Sequence, residues 1–155
     1  MYWKNCLSLL FIAIGGTLTS LAAPTAEIEA KEAAARWLKV IDQHEYGEAW
    51  ARCAPYFRTQ IEREAFVSGL EEARTPVGKP ESRKLTRLFY TTTLPQAPMA
   101  HYVVIQFETK FEGREEPIIE TITPMLIDAN GDPVSILENP TSQNGTWLIS
   151  GYYFQ

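Results

Sequence analysis

Arg74 and Arg83 flank a single loop, and Glu108 and Glu120 stand in segments whose neighbours are apolar. Carboxylate and guanidinium placed in this way could meet inside a cleft, joined by the rings of Tyr46, Trp50, Tyr90 and Tyr152. Buried charges persist only when paired, and a pocket with a few convergent polar groups is where ligands bind. The same residues allow a second chemistry. A carboxylate isolated among apolar groups has a raised pKa and can serve as general base, with Tyr90 or Arg74 stabilising the negative charge that develops. The plain alternative is that the glutamates, with Gln106, face water, because antiparallel sheets commonly solvate one face.

Other chemistries find less support. The chain has two histidines, His44 and His101, and neither has a partner at metal-ligand spacing. Both are expected as lone surface residues, and neither a metal nor another cofactor is expected. Ser150-Gly151 falls inside a strand and so does not form a nucleophile elbow. The Gly-rich loop that would open a helix around a phosphate is missing as well. Asp128, Asn130 and Asp132 match the first three oxygen positions of a calcium loop, but Pro133 stands where glycine is required and Glu138 falls one short of the closing glutamate. The segment therefore reads as an Asn-Gly turn. Asn144-Gly145-Thr146 reads as an Asn-Gly hairpin turn, and as a glycosylation acceptor only in a eukaryotic secretory route.

These residues need positioning, and the pattern of the chain supplies elements for it. Pro24-Thr25 followed by Glu27 and Glu29 reads as a capped helix start with acids in the first turn, and Ala30, Ala34, Trp37, Leu38 and Ile41 follow at helical spacing. A second stripe, Tyr46, Ala49, Trp50 and Cys53, ends at Pro55, which lacks the amide donor. Thr59-Gln60-Ile61-Glu62 reads as the capping box of a third helix carrying Phe66, Gly69, Leu70 and Ala73. Beyond the Thr75–Pro80 loop the period changes to two. Strands are expected over Ser82–Leu94, His101–Phe111, Pro117–Ile127 and Thr146–Phe154, with Pro124 marking an edge or a bulge. The Asp128–Asn144 connection is long for a hairpin, and Val134-Ser135-Ile136-Leu137 within it is apolar enough to extend the ladder or fold back, which suggests a protruding contact surface.

The first 22 residues bear on location. Lys4 precedes the apolar run Leu7–Ile14, and Ser20-Leu21-Ala22 is a small-x-small site, so a signal peptide cleaved after Ala22 is expected. The run is shorter than the ~20 apolar residues that a spanning helix needs, so cleavage is favoured over an uncleaved anchor. Residues 23–155 suit one domain that is periplasmic or secreted. Of the two cysteines, Cys6 leaves with the leader and Cys53 is expected to be a buried free thiol. A net charge of -5 without a basic block argues against nucleic acid as a partner.

From Trp37 onward the chain resembles a bacterial family catalogued as domain-of-unknown-function family 4019. The residues that carry the likeness are Trp37-Leu38 with Asp42, Tyr46 and Trp50, then Arg74–Gly78 with Ser82–Leu85, then Tyr90–Pro95. Tyr102–Phe107, Glu120–Met125, Trp147 and Ser150–Tyr153 continue it. The resemblance implies an exported bacterial protein and no assigned activity. The chain departs from the pattern in its long Asp128–Asn144 excursion and in Phe66, where a tryptophan is usual.

Together these readings predict an α+β fold, three N-terminal helices packed on a four-stranded antiparallel meander, similar in outline to the nuclear-transport-factor-two or cystatin-like shape. The expected function is a non-catalytic envelope binding or accessory module for a small molecule or an envelope protein. A small enzyme using a cleft carboxylate and a dimerising unit whose aromatic last strand pairs with a second copy are the alternatives.

Overall fold

The computed structural model describes residues 22–154, so the expected leader, apart from Ala22, lies outside the described residues. Alternation in the C-terminal half produces four strands, β1 (Pro80–Thr91), β2 (Tyr102–Phe111), β3 (Ile118–Ile127) and β4 (Thr146–Phe154). They pair antiparallel in the order β1-β2-β3-β4, which is the expected meander. Helices pack on one face, so the chain is an α+β fold.

Two bulges decide which side chains meet the helices. In β1, Leu85 pairs with Phe107 and Arg87 with Gln106, so Thr86 is an extra residue. In β4, Gly151 pairs with Thr123 and Ile149 with Pro124, which makes Ser150 extra. An inserted residue shifts the two-residue alternation by one. Trp147 and Ile149 before the bulge and Tyr152 after it therefore all join the same core, as do Leu88 and Tyr90 in β1. Pro124 sits opposite the β4 bulge in an inner strand, so of the two expectations for it the bulge applies and the edge does not.

The helical layer differs from expectation in number. Among the described residues there are four α-helices: α1 (Ala22–Asp42), α2 (Tyr46–Ala51), α3 (Pro55–Gln60) and α4 (Arg63–Arg74). α2 ends at Ala51, short of Cys53 and Pro55, and Pro55 instead opens α3, because a proline at the first helical position gives up an amide that has no partner there anyway. The capping box at Thr59 does not form. The Thr59 hydroxyl donates to the Tyr56 carbonyl at 2.7 Å inside α3, and α4 starts after Glu62 without a side-chain cap.

The acids expected in the first turn of α1 lie beyond it, since the helix already begins at Ala22. They tie α1 to the sheet instead. Glu27 accepts from the Tyr90 amide at 3.2 Å, and Glu29 accepts from the Ser142 amide at 2.7 Å and from Trp147 Nε1 at 3.2 Å.

Most of the interior is one cluster between helices and sheet, including Ala30, Trp37, Ile41, Ile105, Ile122 and Ile149. A second cluster lies on the opposite sheet face, where Tyr102, Met125 and Ile127 pack with Ala54, Tyr56, Leu94 and Leu148. The β1–β2 loop folds under the sheet to reach it, and the Tyr56 hydroxyl donates to the Gln96 carbonyl at 3.1 Å. Cys53 is buried and unpaired, and burial pushes its thiol up to about 12.

The long excursion before β4 folds back rather than protruding. Pro133 bridges Ile127, the Val134 amide donates to Leu126 at 3.1 Å, and the Val134 side chain enters the main core. Leu137, 93% exposed, is its outward tip. Asn144-Gly145 is not a left-handed hairpin turn, because neither residue has positive φ. Gly145 is needed for closeness: a Cβ there would stand 2.5 Å from the Ile127 carbonyl oxygen. The Asn-Gly turn at Gly131 does form, with φ 91 and the Asp128 carboxylate accepting from the Asn130 and Asp132 amides.

Candidate functional site

Arg74 ends α4 and points under the sheet edge, where only 2% of its side chain is exposed. Its Nη1 donates to Glu120 Oε1 at 2.9 Å and to the Tyr152 hydroxyl at 2.8 Å, and its Nη2 donates to Asp42 Oδ1 at 2.7 Å. Arg83, on the helix side of β1, donates from Nε to Glu120 Oε2 at 2.6 Å and from Nη1 to Asp42 Oδ2 at 2.6 Å. The Tyr152 hydroxyl also donates to Glu120 Oε1 at 2.6 Å, and the Thr109 hydroxyl donates to Oε2. Two guanidiniums thus meet two carboxylates, and the charges balance. Phe111 and Phe154 close the cluster, their ring centroids 5.2 and 5.5 Å from the Arg74 guanidinium carbon.

The electrostatics follow from burial and pairing. Burial alone would raise the Glu120 pKa, but the hydrogen bonds and charge of Arg83, with Thr109 and Tyr152, hold it below the ordinary carboxylate range. Burial, followed by the Glu120 charge, pushes the Tyr152 phenol well above its usual value. Arg74 and Arg83 both stay charged. Burial works against them, but their tyrosine and carboxylate partners outweigh it. Every oxygen of Glu120 is taken by donors, so no lone pair is directed at free space.

Of the eight residues expected to line a helix–sheet cleft, Arg74, Arg83, Glu120 and Tyr152 converge, but in a sealed cluster rather than an open cleft. Tyr46 is buried nearby, its hydroxyl 2.8 Å from His44 Nδ1, and burial raises its pKa against the Arg74 charge. Trp50, half-buried against the main core, donates to the Ile61 carbonyl at 2.9 Å. Glu108 is on the other sheet face, 42% exposed and 3.7 Å from Lys84, because alternation sends it opposite to Phe107 and Thr109. Water-facing placement therefore holds for Glu108 and fails for Glu120, which is fully buried.

Tyr90 is away from the cluster. Its hydroxyl is 2.6 Å from His101 Nδ1, and His101 Nε2 is 2.9 Å from the Ser135 carbonyl. The expectation of a surface histidine is wrong for His101, which is 1% exposed; the folded-back excursion covers it. Two partners in the charged cluster were not among the expected site residues. Asp42, the last residue of α1, appears in the sequence only as a bearer of the family likeness, and Thr109 as an ordinary residue of the expected second strand. Among the described residues no group of three His, Cys, Asp or Glu side chains could hold a metal ion.

A concave feature open to solvent lies elsewhere, at the β4 edge between the helices and the outer sheet face. It is a groove of about 880 Å³ whose floor includes Val104, Thr121 and Tyr153 and whose walls include Phe57 of α3, Gly69 of α4 and Leu94 of the β1–β2 loop. No Asp, Glu, Lys or Arg side chain lines it, in a chain whose net charge is -5. Gly69 leaves a gap in the wall: a Cβ built there meets nothing within 4 Å. Tyr152 joins groove and cluster, lining the first while its hydroxyl lies in the second.

Helices on a four-stranded antiparallel meander make this an α+β domain. The chain belongs to the family described as "Protein of unknown function (DUF4019)", whose model matches residues 33–132. The match takes in α2 to β3 and the C-terminal half of α1, and leaves β4, with Trp147 and Tyr152, beyond it. No curated protein and no solved structure matches the chain.

Proposed function

We propose that the chain is an exported, non-catalytic binding or accessory module of the bacterial cell envelope, and that it takes an uncharged, largely apolar ligand in the groove at the β4 edge. The observation that carries this reading is the groove's lining, apolar and aromatic with a few hydroxyls and amides and no charge. Its volume of about 880 Å³ is within the range of ligand sites. An ionic ligand would lose its hydration there without finding a counter-charge.

The enzyme alternative loses its base. Glu120 has the burial that a general base needs, yet its oxygens are occupied and its pKa is lowered rather than raised. Glu108 is exposed beside Lys84, where nothing excludes water.

The test uses N-phenyl-1-naphthylamine, a neutral fluorescent probe, on the mature chain. The wild-type protein should bind it with enhanced fluorescence, and Gly69→Leu, which fills the gap in the wall, should weaken binding at least tenfold. The same substitution removes a helix-interior glycine and should leave the melting temperature unchanged or raise it. Unaltered probe binding by Gly69→Leu would place the probe elsewhere and remove the proposal's support.

A further inference from the structure

β4 is an edge strand, and its first half already receives a piece of backbone from the helical layer. Cys53 bridges Ile149 in the parallel sense, and the Ala54 amide donates to the Ile149 carbonyl at 2.8 Å. Pro55 then starts α3 and leads the chain away, so the added ladder stops after one bridge. Among the described residues, this is the one pairing on the outer side of β4.

The second half of the strand is where the groove begins, since Ser150, Gly151, Tyr152 and Tyr153 all line it. The backbone there offers bonds. Leu126 turns its amide toward the β2 side, donating to His101 at 3.0 Å. By alternation, Thr121 and Thr123 turn toward their β4 partners Tyr153 and Gly151. The amides and carbonyls of Tyr152 and Phe154 are left pointing away from β3.

Resting on the groove reading above, we infer that the occupant is an extended, uncharged peptide segment that adds to β4 parallel to it, continuing the ladder that Cys53 and Ala54 begin. Strand addition draws affinity from main-chain hydrogen bonds and selectivity from alternate side-chain pockets. The uncharged lining sets the partner's chemistry: its inward side chains are apolar or hydroxylic, and acidic or basic ones are rejected for want of a counter-charge. Gly69, which lines the groove on α4, has open space beside it where a side chain could enter.

The experiment titrates the mature chain with an acetylated, amidated six-residue peptide alternating valine and threonine, followed by amide hydrogen exchange and two-dimensional NMR. Binding should slow exchange at the Tyr152 and Phe154 amides, show cross-strand contacts of a parallel pair and displace N-phenyl-1-naphthylamine. Two further peptides are N-methylated on one or the other alternate set of amides. One should lose at least tenfold in affinity and the other retain it. Equal binding of both would overturn strand addition, as would a bound probe that the peptide cannot displace; the groove would then hold a compact ligand and the binding function would survive. Failure of both probe and peptide to bind would remove the groove reading itself. Light scattering that finds a dimer, with Tyr152 and Phe154 protected before any peptide is added, would put a second copy on the edge and overturn the inference.

Discussion

The guanidinium of Arg74 serves Asp42, Glu120 and Tyr152 at once through two nitrogens, a fork that the point charge of lysine does not reproduce. Removing one member of a buried ion pair leaves the other without compensation, at about 3–5 kcal/mol. Arg74→Met should therefore cost an amount of that order in urea denaturation, and Arg74→Lys should recover only part of it. Asp42 keeps 23% of its side chain exposed, so Asp42→Asn should cost less than Arg74→Met. Equal losses for the two would show that the cluster is wetter than its exposure indicates. Tyr152→Phe keeps the ring that packs edge-on against Trp37, 5.1 Å between centroids, and removes only the hydroxyl. About 1.5–3 kcal/mol should be lost, the range for a hydrogen bond to a charged group.

Ser150 has an effect on β4 far larger than its side chain suggests. Paired without the bulge, the same sequence would send Tyr152 to the outer face and Tyr153 against the helices, whereas deleting Ser150 removes the extra residue and keeps Ile149 and Tyr152 both on the helix side. Deleting Ser150 should therefore keep the near-ultraviolet circular dichroism of a packed core, whereas inserting one alanine after Ser150, which shifts the alternation by one more residue, should diminish it. The same bulge marks the limit of what was readable beforehand. Four strands, their order and the helical layer follow from apolar spacing and turn residues, and Arg74, Arg83, Glu120 and Tyr152 were correctly grouped by chemistry. Their arrangement as a closed cluster was not readable, because face assignment in β1 and β4 depends on single inserted residues that leave no trace in composition. Pro55 misled because the ring that can stop one helix here starts another. His101 misled because its cover, Ser135, comes from a segment remote in sequence, and Asp42 because a carboxylate at the end of a helix looks solvent-facing until Arg74 and Arg83 are placed beside it.

For the whole molecule, acid is the revealing perturbation. Folding lowers the Glu120 pKa, so the folded state binds that proton less readily than the unfolded chain does. The stability it contributes is complete above the unfolded carboxylate value of ~4.3 and is lost as pH falls through the lower folded value. Melting temperatures of the wild-type protein should fall over that acid interval, and Glu120→Gln, less stable at neutral pH, should show a shallower decline; parallel curves would mean that other carboxylates dominate. Export is tested separately: the chain expressed whole in a bacterium should be recovered from the periplasm with Ala23 first, by intact mass. The cluster also bears on folding kinetics. Arg74 finds Asp42, Glu120 and Tyr152 at sequence separations of 32, 46 and 78 residues, so its bonds wait for long loops to close. Charges that must shed water last are still hydrated at the rate-limiting barrier, and a mutation there leaves refolding nearly untouched while hastening escape from the native basin. Stopped-flow chevrons of Glu120→Gln should show the change in the unfolding limb, which makes this salt-bridged knot a lock on the lifetime of the folded state more than a guide to reaching it.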